Sequence, residues 1–211
     1  LGAMRFTEKD VISMLNNIFI SKDPRIEVGI GDDGAVVSLT PRQVITTDMA
    51  VENVHFKKAW SSPFEIGRKI TAANLADVRA MGANPDYLVV ALAVTGDEDL
   101  SWLEQLAKGI AHEAKLGGAS IVGGDLVRAD AVTISITAVG GVDVPVLRSG
   151  AKAGDSIYVS SLPGWSAAGL ALLQRGAAPT SAEEIKAVQA FRSPEINYIF
   201  DYKSAHSLCD V

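Results

Sequence analysis

Aspartates beside glycine, threonine or other small residues are the groups in this sequence best suited to chemistry. Asp33 lies in GIGDDG (29–34), Asp48 in VITTD, Asp77 in NLADVRAMG and Asp125 in IVGGD. Each of them alone is typical of a turn or a helix cap. Taken together, carboxylates and threonine hydroxyls are hard oxygen ligands that suit Mg²⁺ better than zinc. If the four carboxylates converge, their mutual repulsion requires cations, so we expect a magnesium site.

The stretch GIGDDG also matches the glycine pattern of dinucleotide-binding loops. That fingerprint requires a strand before it and a helix that opens inside it. Here a helical pattern and a loop come first, a strand pattern follows, and Asp32 and Asp33 would repel a pyrophosphate. We therefore interpret the match as false, and no Walker A pattern occurs elsewhere in the sequence. An acidic chain of this kind must hold phosphates locally, through cations or backbone N–H groups.

Bulk composition restricts the class of protein. The 211 residues carry a net charge of −6 without a basic run, which argues against nucleic acid as the main ligand. Cys209 is the only cysteine, so the sequence excludes an intrachain disulfide and favours a cytoplasmic protein. No apolar run reaches the roughly 20 residues of a membrane span, and we expect no membrane partner. Residues 1–3 precede Met4 and are interpreted as an expression remnant.

Periodicity predicts the elements that must position these aspartates. Residues 35–39 and 43–48 are rich in β-branched side chains and are separated by a short turn, so we predict a β-hairpin. In this interpretation Asp48 and Asp125 end strands, where α/β proteins gather ligand-binding groups, and Asp77 lies in a helix among apolar residues. Further strands are predicted over 86–95, 120–125, 131–142 and 156–161, and helices over 7–19, 62–81, 98–118, 163–176 and 181–191.

Five segments together resemble the thiamine-monophosphate kinases, members of the ATP-dependent superfamily that includes aminoimidazole ribonucleotide synthetase. These segments, in the family's order and at compatible spacing, are GIGDDGAVV, TTDMAVENVHF, NLADVRAMGANP, IVGGD and LRSGAKAGDSIYVSSLPGWSAAGL. The resemblance implies an α/β (α+β) sandwich as N-terminal domain over residues 4–146. It implies a three-layer α/β C-terminal domain from residue 147, incomplete because Val211 falls inside a later Asp-x-Ser-Asp-Gly motif. The resemblance thus covers the N-terminal two thirds of the family's length.

The same resemblance implies roles for individual residues. Thiamine monophosphate would be contacted by His55, and ATP by Gly124, Asp125 and Arg148. The reaction implied is direct in-line transfer from ATP to thiamine monophosphate, giving thiamine diphosphate, in a homodimer with several Mg²⁺ ions and no general base. Three departures from the family, Ala76 for Ser, Leu126 for Thr and Asn53 for Gly, remove no carboxylate. The magnesium ligands implied are Asp33, Thr46, Thr47, Asp48, Asp77, Asp125 and Asp210.

Other functions remain open from the residues themselves. A metal-dependent phosphatase would also gather aspartate and threonine around Mg²⁺, but it would activate water and need no ATP. A sister enzyme of the superfamily would use ATP with another acceptor. A non-enzymatic Mg²⁺- or Ca²⁺-binding module would bind metal without nucleotide, although no EF-hand loop pattern is present.

Overall fold

A four-stranded mixed sheet forms the centre of the first of two units, Leu1–Pro145 and Val146–Val211, into which the chain divides. The computed structural model describes residues 7–159, 161–176 and 178–198. Unit 1 contains α1 (Glu8–Ile18), β1 (Ile26–Val28), β2 (Val36–Val37), β3 (Gln43–Val51), α2 (Pro63–Ala80), β4 (Asn84–Val94), α3 (Leu100–Gly117), β5 (Ser120–Arg128) and β6 (Thr133–Gly141). Unit 2 contains a short 3-10 helix (Arg148–Gly150), α4 (Trp165–Arg175) and α5 (Ala182–Arg192). The mixed α/β class predicted from the sequence is confirmed.

The sheet has the order β3–β6–β4–β5, with β4 and β5 parallel and β6 antiparallel to both of its neighbours. Alternate residues of β6 (Ile134, Ile136 and Ala138) are fully buried on the face that the helices cover. The residues between them point to the other face, because successive side chains of a strand alternate. The pairing register therefore assigns each strand residue either to this helix face or to the opposite, open face.

Helices α2 and α3 approach each other closely because glycine lies at the contact on each helix. A Cβ atom at Gly67 would lie 2.3 Å from the backbone oxygen of Leu106, and one at Gly109 would lie 2.1 Å from that of Phe64. One helical turn away, the Arg68 Nε donates a hydrogen bond of 2.7 Å to a fully buried carboxylate of α3, Glu113. This helix pair is the rigid layer on which the sheet rests.

The buried carboxylate of Glu98 links the residue after β4, Thr95, to Lys58 in the segment that follows β3. The Glu98 side chain is 1% exposed and is contacted by the ammonium group of Lys58, which also lies 3.2 Å from Glu52. The backbone N–H of Thr95 donates to Glu98 at 3.0 Å. Burial by itself would raise the pKa of the Glu98 carboxyl. The hydrogen bonds from Lys58, the backbone and Thr95 outweigh burial, so this pKa lies below its ordinary value.

Helix boundaries follow the caps that the sequence contains. Thr7, Ser62 and Ser181 each accept a hydrogen bond from the third helical residue in a reciprocal capping box. At the other end of α3, Gly118 adopts a left-handed conformation with φ of 82°. The helices predicted over 62–81 and 98–118 are therefore confirmed to within two residues. No helix among the described residues is long and apolar enough to cross a membrane.

The predicted hairpin of residues 35–39 with 43–48 is wrong. β2 pairs with β1, and β3 pairs along its whole length with β6, which lies far away in the sequence. β-Branched residues favour a strand, but they do not specify its partner, which the packing of the whole sheet decides. β1 itself lies in a segment that the sequence pattern indicated to be loop.

Two further expectations about strands are corrected. Asp48 and Asp125 lie inside strands, because β3 continues to Val51 and β5 to Arg128. The glycines before Asp125 belong to β5: a Cβ at Gly124 would lie 2.0 Å from the Val90 backbone oxygen, so glycine permits close pairing with β4. Residues 156–159 do not form the predicted strand, because no strand is available to pair with them among the described residues of unit 2.

Candidate active site

The tight loop after β3 presents His55. The backbone N–H of Val51 donates a 3.0 Å hydrogen bond to His55 Nδ1, which leaves Nε2 as the donor of a neutral imidazole. Asn53, with φ of 66°, is the only non-glycine residue of the described chain with a positive φ. Its backbone N–H closes the loop by donating to the Phe56 oxygen at 2.7 Å. A left-handed residue is required here, a conformation that suits the glycine implied by the family resemblance and that asparagine also tolerates.

The alternation of β3 divides the Thr-Thr-Asp motif between the two faces of the sheet. Thr46 and Asp48 pair with Ala138 and Ile136 and therefore lie on the helix face. Thr46 donates a long hydrogen bond of 3.4 Å to the exposed Asp77 carboxylate of α2. The structure thus brings Thr46 and Asp77 together, with Asp48 on the same face of the same strand. The exposure of Asp77 contradicts the expectation that its charge is surrounded by apolar side chains.

A fully buried amide, Asn74, fixes β3 to α2 beside these residues. Its Oδ1 accepts a hydrogen bond of 3.1 Å from the backbone N–H of Asp48. Its Nδ2 donates a hydrogen bond of 2.9 Å to the backbone oxygen of Ile70. β3 is an edge strand, so the side chain replaces a missing strand neighbour. The sequence interpretation missed Asn74, although its burial four residues after Ile70 on an amphipathic helix was a usable signal.

A pocket of about 310 Å³ lies between β3, the His55 loop and α2. Its polar groups are Asp48, His55 and Lys69, and its walls are mainly apolar, with Phe56, Ile66 and Ile70 among them. Lys69 is half-buried, and burial lowers the pKa of its ammonium group. This lysine was also missed, although it lies eight residues, or about two helical turns, before Asp77 on the same face of α2.

Asp125 lies on the open face of the sheet. It shares a row of the ladder with Ala91, Ser135 and Met49, so its side chain points away from Asp48. Its Oδ1 accepts a 2.9 Å hydrogen bond from the backbone N–H that follows it. Thr47 is also on the open face, where its hydroxyl lies 3.2 Å from that of Thr137 and donates to the Ile136 oxygen. Within one chain the structure does not bring Asp125 to Asp48.

A second, apolar pocket of about 150 Å³ lies between α1, α3 and the strands β4 and β5. Its lining includes Ile30 of the GIGDDG loop together with Gly124 and Asp125. The glycine-rich loop lies between β1 and β2, and no helix opens inside it, so it lacks the architecture of a dinucleotide-binding fingerprint. It is instead placed next to the Gly-Gly-Asp segment of β5.

The remaining predicted site residues are scattered. Asp33 is exposed, and its backbone N–H donates a hydrogen bond of 2.9 Å to the Asp32 carboxylate. Arg148 is exposed and begins the short 3-10 helix of unit 2, and Asp210 lies outside the described residues. In the described part of the chain, no three Asp, Glu, His or Cys side chains form a group that could hold a metal ion by themselves.

Comparison with known proteins identifies the first unit. The family described as AIR synthase related protein, N-terminal domain, matches residues 31–142. The thiamine-monophosphate kinase of Mycobacterium tuberculosis is 45% identical over 152 residues, which cover 71% of this chain and 46% of that protein. The chain spans about half the length of the curated relatives it matches.

Solved structures give the same picture for the fold. The thiamine-monophosphate kinase of Stenotrophomonas maltophilia K279a superposes with a TM-score of 0.77 at 29% identity, covering 92% of this chain and 62% of that one. AaThiL complexed with AMPPCP and TMP superposes with a TM-score of 0.72 at 25% identity, covering 96% of this chain and 64% of that one.

Proposed function

The chain belongs to the family of AIR synthase related proteins, and we propose that it acts as a thiamine-monophosphate kinase. Proteins of that name are 35–45% identical to it, and a structural relative is a complex with AMPPCP and TMP. The observation that carries the proposal is the pocket where His55 and Lys69 lie beside Asp48, two strand residues away from Thr46 of the Thr46–Asp77 pair. Groups able to bind a phosphate ester thus adjoin oxygen ligands suited to Mg²⁺.

Mg²⁺ fits the donors of this region. Thr46, Asp48 and Asp77 provide hard oxygen ligands on one face, and Asp77 is open to solvent. Mg²⁺ typically uses one or two carboxylates and completes its shell with water and substrate phosphates, so a group of three acids is unnecessary. When bound, the ion would neutralise phosphate charge. The full set of magnesium ligands that the family resemblance implies remains a proposal. It also includes Asp33, Thr47, Asp125 and Asp210.

The reaction needs little acid–base chemistry from the protein. One oxygen of the acceptor phosphate forms a bond to the γ-phosphorus of ATP as the bond to the β–γ bridging oxygen breaks, and ADP leaves. The acceptor phosphate has a second pKa near about 6, so it is ionised without a general base. The Nε2–H of His55 is the donor that would orient the acceptor. Arg148 of unit 2 is proposed to contact ATP.

ATP is proposed to bind along β5 at Gly124 and Asp125. The adjoining apolar pocket, whose lining includes Ile30 and the same two residues, is suited to a flat base, while the glycine leaves the strand backbone accessible. The proposed use of ATP also favours the cytoplasm as the place of action.

A homodimer through the open face of the sheet is supported by that face's exposed apolar side chains. They are Ile45 (69% exposed), Met49 (57%), Val127 (49%) and Val89 (40%). Exposed apolar side chains grouped on one face of a sheet are typical of a surface that another chain covers. β3 and β5 are three strand spacings apart, or roughly 14 Å, so one phosphate cannot touch both Asp48 and Asp125 of one chain. A second copy on the open face would bring its own groups next to Asp125.

The test uses full-length protein incubated with ATP, Mg²⁺ and thiamine monophosphate, with thiamine diphosphate as the measured product. We expect product that requires ATP and is lost in Asp48→Asn. ATP use with a different acceptor would identify a sister enzyme, and phosphate release from thiamine monophosphate without ATP would identify a phosphatase. For the dimer, light scattering of Met49→Lys should show a monomer where the wild type is a dimer.

A further inference from the structure

Two adjacent basic residues of α2 have opposite surroundings. Arg68 points towards α3 and is neutralised by the buried carboxylate of Glu113 at 2.7 Å. Lys69, the next residue of the helix, lines the pocket with His55 and Asp48. The arginine therefore takes part in helix packing, and the lysine lines a concave site.

Apart from Asp48 and His55, the residues that line the pocket with Lys69 are apolar. Ile66 and Ala73 lie three residues before and four residues after Lys69 on one helix face, and both line the pocket together with the adjacent Ile70. Apolar walls weaken the solvent screening of a charge, so an anion entering here interacts with Lys69 more strongly than at an open surface. The Nε2–H of His55 provides a second donor in the same pocket. The pocket is therefore suited to a ligand with an apolar body and a phosphate head.

We propose that Lys69 binds the phosphate of the acceptor and makes the pocket select the phosphate ester, thiamine monophosphate, over thiamine. The inference rests on the proposed kinase function and adds to it a residue that decides acceptor specificity. Lysine acts here as a compact cation, and replacement by arginine keeps the charge but changes the shape of the donor group.

The test measures binding of thiamine monophosphate and of thiamine to full-length protein by titration calorimetry without ATP. We expect Lys69→Met to weaken binding of thiamine monophosphate by about 10- to 100-fold, the usual effect of losing a hydrogen bond to a charged group. Binding of thiamine should change by less than about threefold. Lys69→Arg should retain part of the affinity for the phosphate ester. In turnover, KM for thiamine monophosphate should rise more than kcat falls.

Lys115→Met, on the exposed last turn of α3, is the matched control and should leave both affinities unchanged. Urea unfolding of each variant confirms that it is folded at the assay temperature. Equal weakening of both ligands by Lys69→Met would indicate a structural role and overturn the proposal, as would unchanged affinity for thiamine monophosphate. If the wild-type protein binds neither ligand and makes no thiamine diphosphate, the kinase function fails and the inference falls with it.

Discussion

Replacing the buried amide between β3 and α2 should separate the two elements at the candidate metal site. Asn74→Ala removes the acceptor of the Asp48 N–H at 3.1 Å and the donor to the Ile70 oxygen at 2.9 Å. Each hydrogen bond contributes about 1 kcal/mol net, and a partly buried N–H left without an acceptor costs about 1–3 kcal/mol. We therefore expect the free energy of unfolding to fall by about 2–4 kcal/mol.

Urea unfolding followed by tryptophan fluorescence measures this loss. With a slope of about 1–3 kcal/mol/M, the midpoint should fall by about 1–2 M. Asn17→Ala is a matched control, because Asn17 makes the same bond to the carbonyl four residues earlier, at 3.1 Å, but on an exposed surface. Asn17→Ala should lower the free energy of unfolding by less than about 0.5 kcal/mol.

The functional consequence separates this reasoning from a general packing effect. Since Asn74 fixes the backbone at Asp48, the variant should also need more Mg²⁺ for half-maximal activity under conditions where it remains folded. The reasoning is refuted if Asn74→Ala unfolds at the same urea concentration as Asn17→Ala. It is also refuted if the magnesium requirement of the folded variant is that of the wild type.

Three further expectations concern the framework around the site. Glu113→Gln, which breaks the buried pair with the α2 arginine, should cost about 3–5 kcal/mol, whereas Glu104→Gln in an exposed pair of α3 should cost under about 0.5 kcal/mol in the same urea titration. Gly109→Ala should lower the melting temperature, because the added methyl would lie 2.1 Å from an α2 backbone oxygen, although the same change in an unobstructed helix stabilises by about 1 kcal/mol. Because the pKa of Glu98 is lowered on folding, its stabilising contribution is present above the ordinary carboxyl pKa and is lost as pH falls through the folded value. Glu98→Gln should therefore be destabilised at neutral pH yet lose less stability than the wild type between about pH 5 and pH 2, as measured by thermal unfolding across pH.

The elements that local chemistry defines could be predicted from the sequence. Thr7, Ser62 and Ser181 carry the side-chain acceptors that begin helices, and their reciprocal partners lie three residues later, so all the information lies within one turn. The false dinucleotide motif could be recognised in the same way, because a fingerprint of that kind needs a helix directly after it. The five family segments likewise predicted the α/β class, since their order along the chain is a property of sequence alone.

Tertiary structure decided which groups face each other. A strand pattern does not contain its partner, so only the assembled sheet showed that β3 pairs with β6 and that Asp48 and Asp125 lie on opposite faces. The pocket that combines His55 with Lys69 exists because α2 packs back against β3, and β3 is held in the sheet by its long-range pairing with β6. The sequence therefore determined which chemical groups are present. Long-range packing determined which of these groups can act on one ligand, because its free energy offsets the entropy lost when distant segments of the chain are brought together.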